Sequence, residues 1–228
     1  LLQVNSKRTA ILDAAESLFA EANFDIVGIR DVAAKARVPL GLICYHFCTK
    51  DKLYEAIIAR RSDDLNKYQL GVFKTLPAKF DLRHVIDVFL RSYFELMLRD
   101  EPGWRSYWRL LAQMGQQRRG ARLLAKHFRK NQGKILDALV RAEPRLSNEA
   151  VIRGYGFMLS MMFGMFAKND LLSMSSDKAY RSRDIEAAYV YAVPFLTGAF
   201  ERLLTADSAN ARICAGQPGE RRSIGQSG

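Results

Sequence analysis

The chain has 228 residues, 49% of them apolar and 26% charged, enough for one large or two modest domains with a real core. Its net charge of +11 suits a polyanionic partner, although proteins that bind no polyanion also carry such a charge. No apolar run reaches the ~20 residues of a membrane span, so no membrane partner is expected. The opening LLQVNSKRTA lacks the apolar stretch of a secretory signal. Three cysteines are no disulfide framework, and a reducing, cytoplasmic setting is expected.

Hydrophobic spacing predicts helices throughout and no strand. Ile11, Leu12, Ala15, Leu18, Phe19 and Ala22 recur at helical spacing in a first helix with Ser6 as its expected cap. Ile29, Val32, Ala33 and Ala36 make one face of a second. Arg37-Val38-Pro39 breaks it, and a third helix follows with Ile43 and Phe47 inward. Two short helices joined so tightly fit a helix-turn-helix, though a plain helical hairpin has the same spacing. Thr49 caps a long fourth helix from Lys50 to about Phe73. Further helices are expected from Asp81 to Arg99, Trp104 to Met114 and Gln117 to Arg141.

Ser147 caps a nearly all-apolar helix reaching about Leu172, in which Gly154, Gly156 and Gly164 suggest close helix–helix contact. The final helix is expected from Ser182 to Leu204, with a kink at Pro194, and a mobile tail from Asp207. Expected units are 1–48, 49–206 and 207–228. Catalysis has no motif behind it: there is no Gly-rich phosphate loop, no HExxH, no G-x-S-x-G, and only three histidines. Neither a cofactor nor a metal site is expected, and the chain is read as no enzyme.

The segments RTAILDAAESLFAE (8–21), IRDVAAKARV (29–38) and LICYHFCTKDKLYEAI (42–57) together resemble the N-terminal domain of TetR-family regulators. The run Tyr45-His46-Phe47-x-x-Lys50 is the most specific piece. The resemblance implies an all-α protein with a three-helix DNA-binding head and a helical ligand-binding and dimerisation body. It further implies a homodimeric repressor on a palindromic operator of double-stranded DNA, released by a small apolar, aromatic or acyl inducer. By position, Tyr45, His46 and Lys50 would hold phosphates, and Gly41 would let backbone approach the DNA. Arg30, Arg37, Pro39, Leu40 and Leu42 are nearest the groove. The first helix would aim its N-terminus at a phosphate, with Lys7 and Arg8 beside it.

Three residues depart from the family pattern. Arg37 stands where glycine is usual and a left-handed turn is expected, at a cost of about 1 kcal/mol. Val27-Gly28 replaces a hydroxyl cap, worth about 1 kcal/mol. Leu40 and Leu42 put apolar groups where polar base readers are common, which suits thymine methyls or readout of DNA shape.

In the body, Phe89, Tyr93, Met97, Trp104, Trp108, Leu111, Met114, Phe128, Phe157 and Met161 form an aromatic and methionine-rich set. Such a set is usually core; the resemblance makes it the wall of an inducer pocket, with Arg105, Arg109 or Arg122 available to a carboxylate. Charge in the first sixty residues is nearly balanced, while Arg105 to Lys134 contains no acid, as a solvated face or a steering surface would. Cys44 and Cys48 share a helix face, either as small-residue filling or as a thiol or metal site. Two rival readings are a DNA-binding protein of this fold without an inducer, and a helical ligand-binding protein that no longer binds DNA.

Overall fold

A computed structural model describes residues 2–99, 103–167, 170–182 and 184–215, with side chains from Ser6 to Thr205 within them. The described residues contain helices and turns and no strand: α1 (Leu2–Glu21), α2 (Ile29–Ala36), α3 (Leu40–Phe47), α4 (Lys50–Phe73), α5 (Leu82–Leu98), α6 (Trp104–Gly115), α7 (Arg118–Ala142), α8 (Asn148–Phe166), α9 (Leu171–Ser175) and α10 (Ile185–Ala215). None is long and apolar enough to cross a membrane among those residues.

Local chemistry sets several ends. The Thr49 hydroxyl accepts from Lys52 N–H (3.2 Å), the Asp81 carboxylate from His84 N–H (3.0 Å), and the Ser147 hydroxyl from Ala150 N–H (3.1 Å). Ser6 lies inside α1, so it is not the cap expected of it. Helix α8 stops at Phe166, short of Leu172, because Ala167 turns to extended backbone (φ −62°, ψ 143°). The last helix starts at Ile185, where Asp184 accepts from Ala187 N–H (3.0 Å). It runs without a break through Pro194 and on to Ala215. The tail expected from Asp207 is thus helical for its first part, where Ala209, Ala211 and Ala215 are strong helix formers; residues 216–228 lie outside the described set.

One buried cluster runs from Ile11 in α1 to Phe200 in α10. α1 packs on α2 and on α6; α5 packs against α4, α7 and α10; α8 lies on α6 and α10. Of the three α8 glycines, only Gly154 serves a close approach: a Cβ there would come within 2.6 Å of the Phe200 ring. Gly156 and Gly164 meet nothing within 4 Å, because both stand on an outward face.

Head and body are tied by polar contacts as well as by this core. Glu16 in α1 (2% exposed) accepts from Arg61 Nε in α4 at 3.0 Å, and the Arg61 guanidinium lies over the Trp104 ring. Burial raises the Glu16 carboxyl above its usual range, and the Arg61 hydrogen bond and charge pull against it. Gln113 Nε2 donates to the Ala20 carbonyl (3.1 Å), and the Tyr107 hydroxyl donates to the Ile58 carbonyl (3.1 Å).

Candidate functional site

α2 and α3 meet across the turn the sequence predicts. Arg37 is left-handed (φ 54°, ψ 47°), its N–H donating to the Ala34 carbonyl, and Val38 N–H reaches back to Ala33 (3.1 Å). Arginine therefore accepts the strained backbone that the family's usual glycine takes freely. At the front of α2, Gly28 supplies no side chain, but its N–H donates to the Asp31 carboxylate at 2.7 Å. That keeps the half of a capping box that does not need a hydroxyl.

Helix α3 buries Ile43 and Phe47, half-buries Leu42 and His46, and turns Leu40, Gly41, Cys44 and Tyr45 outward. Tyr45 is 77% exposed and Leu40 41%; Arg30, Arg37, Pro39 and Gly41 are exposed as well. A Cβ on Gly41 would meet nothing within 4 Å, so the helix has a shallow surface at that point. Leu42 is half-buried and packs against the core, which leaves Leu40 as the more accessible of the two leucines. His46 departs from expectation. It lies half-buried on the flank, its ring 5.2 Å from Tyr45 and 6.0 Å from Phe47, with Nε2 buried and unpartnered. Only Tyr45 of that pair is fully outward.

Lys50 opens α4 with Nζ 4.3 Å from the Phe24 ring centroid. Arg119 of α7 lies over the same ring at 4.1 Å and reaches Asp51 (3.5 Å) and Asp25 (4.0 Å). The acid-free stretch of the sequence thus contributes at least one residue that holds the head. Arg8 at α1 lies over the Phe47 ring, 5.3 Å away. Cys44 and Cys48 are exposed, which removes the reading of them as filling.

The pocket residues expected in one place are spread over several. Tyr93, Leu111 and Phe128 line a cavity of about 300 Å³ between α5, α6, α7 and α8, completed by Gln116, Gln132, Tyr155, Leu159, Ser160 and Phe163. Its walls carry no charged side chain. Burial pushes the Tyr93 phenol up to about 12, so it stays neutral and able to donate. Met97 lies instead in a cavity of about 440 Å³ with Arg105 and Arg109, near Asp184 and Glu186. Met161 lines an open groove between α8 and α10. Phe89, Trp108 and Met114 are fully buried packing, and Trp104 stacks on Trp108 at 5.5 Å. Phe157 is no part of the interior: it is 63% exposed on the outer face of α8.

That outer face continues across α10. Ile152, Phe157, Val190, Tyr191 and Phe195 are all more than half exposed.

Comparisons with known proteins agree with this arrangement. The family described as bacterial regulatory proteins, tetR family, matches residues 11–57, and the tetracyclin repressor-like C-terminal domain matches residues 87–199. The HTH-type transcriptional activator FasR of Mycolicibacterium smegmatis is 27% identical over 101 residues, 44% of this chain and 45% of that protein. The HTH-type transcriptional repressor Rv3405c of Mycobacterium tuberculosis is 49% identical over 49 residues, 22% of this chain and 26% of that protein. The chain therefore spans less than half the length of these curated relatives. The multidrug binding protein EbrR, solved with malachite green, shares the fold at a TM-score of 0.52 and 24% identity, covering 86% of this chain and 96% of that one. A helix-turn-helix matched by one TetR model, on a helical body matched by another, leaves one conclusion: the chain belongs to the TetR family of transcriptional regulators.

Proposed function

We propose that the chain is a dimeric, ligand-responsive transcriptional repressor that binds a palindromic operator through α3. The observation that carries this reading is the exposed face of α3, an eight-residue helix held at a tight left-handed turn with Leu40, Gly41 and Tyr45 turned outward. Tyr45, Lys50 and Arg37 would hold backbone phosphates, and Arg30, Pro39 and Leu40 would lie nearest base edges. His46, with Nε2 buried, would orient Tyr45 rather than reach the DNA itself. Leu42 would brace the helix more than read from it.

Dimerisation is proposed through the apolar outer faces of α8 and α10, where Phe157, Tyr191 and Phe195 would lie in a four-helix interface with a second copy. Two recognition helices would then address half-sites about 34–36 Å apart, one helical turn of DNA. The uncharged cavity under α7 would hold the inducer. Its neutral hydroxyls and amides favour an uncharged or aromatic molecule over a free carboxylate, and the complex of EbrR, which shares the fold, with malachite green is consistent with that use. Induction requires the ligand to bind better to the head spacing that misses the operator.

Selection of bound fragments from random duplex DNA tests the reading. Enrichment of one palindrome is the expected result. Absence of any enriched sequence would favour the ligand-binding reading, for which exposed Leu40 is the specific support.

A further inference from the structure

Helix α6 carries two arginines one turn apart, Arg105 and Arg109, and both line the cavity of about 440 Å³ where α5 and α8 end and α6 and α10 begin. Met97, Met165, Phe166 and Ile185 make its apolar wall. Neither guanidinium has a hydrogen bond or ion pair with any described residue, although Arg109 is half-buried. Two acids, Asp184 and Glu186, line the α10 side, and no ion pair joins them to the arginines across the cavity. The acids have local roles. The Asp184 carboxylate accepts from Ala187 N–H at 3.0 Å, and Glu186 stands in the first turn of α10, where the helix dipole favours an acid. The arginines have no such role. Arg105 stands near the start of α6, whose first turn holds no acid and where the dipole disfavours a cation.

We propose that this cavity is a second ligand site, separate from the uncharged one under α7, and that it takes a small amphipathic monoanion: a carboxylate on an apolar body. The charge comes from the arginines. A guanidinium presents a planar fork of donors that matches a carboxylate, and two forks one turn apart can share one. A partly buried cation with no partner is costly, and an anion beside it removes that cost. The acids opposite set the number of charges. Asp184 and Glu186 repel a second negative charge on the ligand, which favours a carboxylate over a phosphate monoester of about −1.5 to −2.

Volume and burial set the rest of the molecule. At about 30 Å³ for each water-sized atom group, the cavity has room for about 15 non-hydrogen atoms, too few for a nucleotide-sized ligand. Arg105 is exposed and Phe166 is 3% exposed, so the charged end of the ligand lies toward solvent and its apolar body against Phe166 and Met97. The cavity under α7 differs in kind, since no charged side chain lines it. The two sites therefore sort ligands by charge. A neutral molecule of the same shape gains nothing from the arginines, whereas each charge-assisted hydrogen bond is worth about tenfold or more in affinity for the anion.

The test uses the full chain and a matched pair of probes, 4-phenylbutyrate and 4-phenylbutan-1-ol, which share one apolar body and differ in the charge of the head. Titration calorimetry reads binding without DNA, so the result does not depend on the DNA reading. Expected is saturable binding of the acid, one per chain. Arg105→Gln and Arg109→Gln should each weaken the acid by about tenfold and together by more, while the affinity for the alcohol stays unchanged in every variant. Both positions lie on the surface side of α6, and thermal melts check that each variant stays folded. No saturable binding of the acid at millimolar concentration overturns the proposal. So does an acid affinity that the double variant leaves intact, or an equal loss of acid and alcohol. An alcohol that binds nowhere on the wild-type chain counts instead against the uncharged cavity under α7.

Discussion

Replacing Arg61 by alanine perturbs one of the contacts that tie the head to the body, together with the guanidinium's place over the Trp104 ring. Glu16 is 2% exposed and accepts from Arg61 Nε at 3.0 Å. Removing the guanidinium leaves a buried carboxylate without its cation, a loss of about 3–5 kcal/mol. At about 2–4 °C per kcal/mol for a chain of this size, the melting temperature should fall by about 6–20 °C. Replacing both partners, Glu16→Met with Arg61→Met, removes the charge along with its partner and should recover most of that loss. The pH dependence gives a second reading of the same physics. Burial already raises the folded Glu16 carboxyl above 4.5, and Arg61 is the main influence that lowers it. Without Arg61 the folded value rises further, so the variant binds a proton on folding. Stability from such a group is present below the unfolded value and is lost as pH rises through the folded one. The deficit of Arg61→Ala should therefore be largest near neutrality and shrink as pH falls toward the ordinary carboxyl value of 4.5. Circular dichroism melts across that range measure it. A variant that melts within about 2 °C of the wild-type chain at neutral pH, or a double variant as unstable as the single one, would refute the reasoning.

The glycines make a paired prediction. A Cβ on Gly120 would come within 2.3 to 2.7 Å of Met114 backbone atoms, so Gly120→Ala should cost about 1–3 kcal/mol in urea unfolding. Gly71, helical with nothing within 4 Å, should gain about 0.5–1 kcal/mol on the same substitution. On the proposed interface, Phe157→Asp or Phe195→Asp should convert a dimer to a monomer by sedimentation while the melt of each chain stays cooperative. A wild-type chain that sediments as a monomer at micromolar concentration would remove the four-helix interface from the account.

What the sequence made legible was mostly local. Thr49, Asp81 and Ser147 were readable as caps because a cap is a contact between a side chain and an N–H three residues away. The left-handed turn at Arg37 was readable from the resemblance despite the missing glycine. Phe157 was misread because apolar spacing on α8 is the same whether a residue meets its own core or an outward face. The same ambiguity misassigned Gly156 and Gly164. The ten residues expected in one pocket share an aromatic and methionine-rich character, which does not separate the packing of Trp108 and Met114 from the cavity wall at Tyr93 and Phe128. His46 and Arg119 depended on contacts the spacing does not encode: a ring turned toward the flank, and a cation reaching Phe24 from far along the chain.

The central claim is that the outward face of α3 and the start of α4 hold DNA. Its most direct test is the salt dependence of affinity for one duplex, measured for the wild-type chain, Tyr45→Ala and Lys50→Ala. Each phosphate contact contributes about 0.9 to the slope of log K against log salt. The account predicts weaker binding by both variants at every sequence, and a slope shallower by about two for Lys50→Ala if the dimer makes one such contact per half-site. Variants that bind as tightly as wild type, with an unchanged slope, would contradict it.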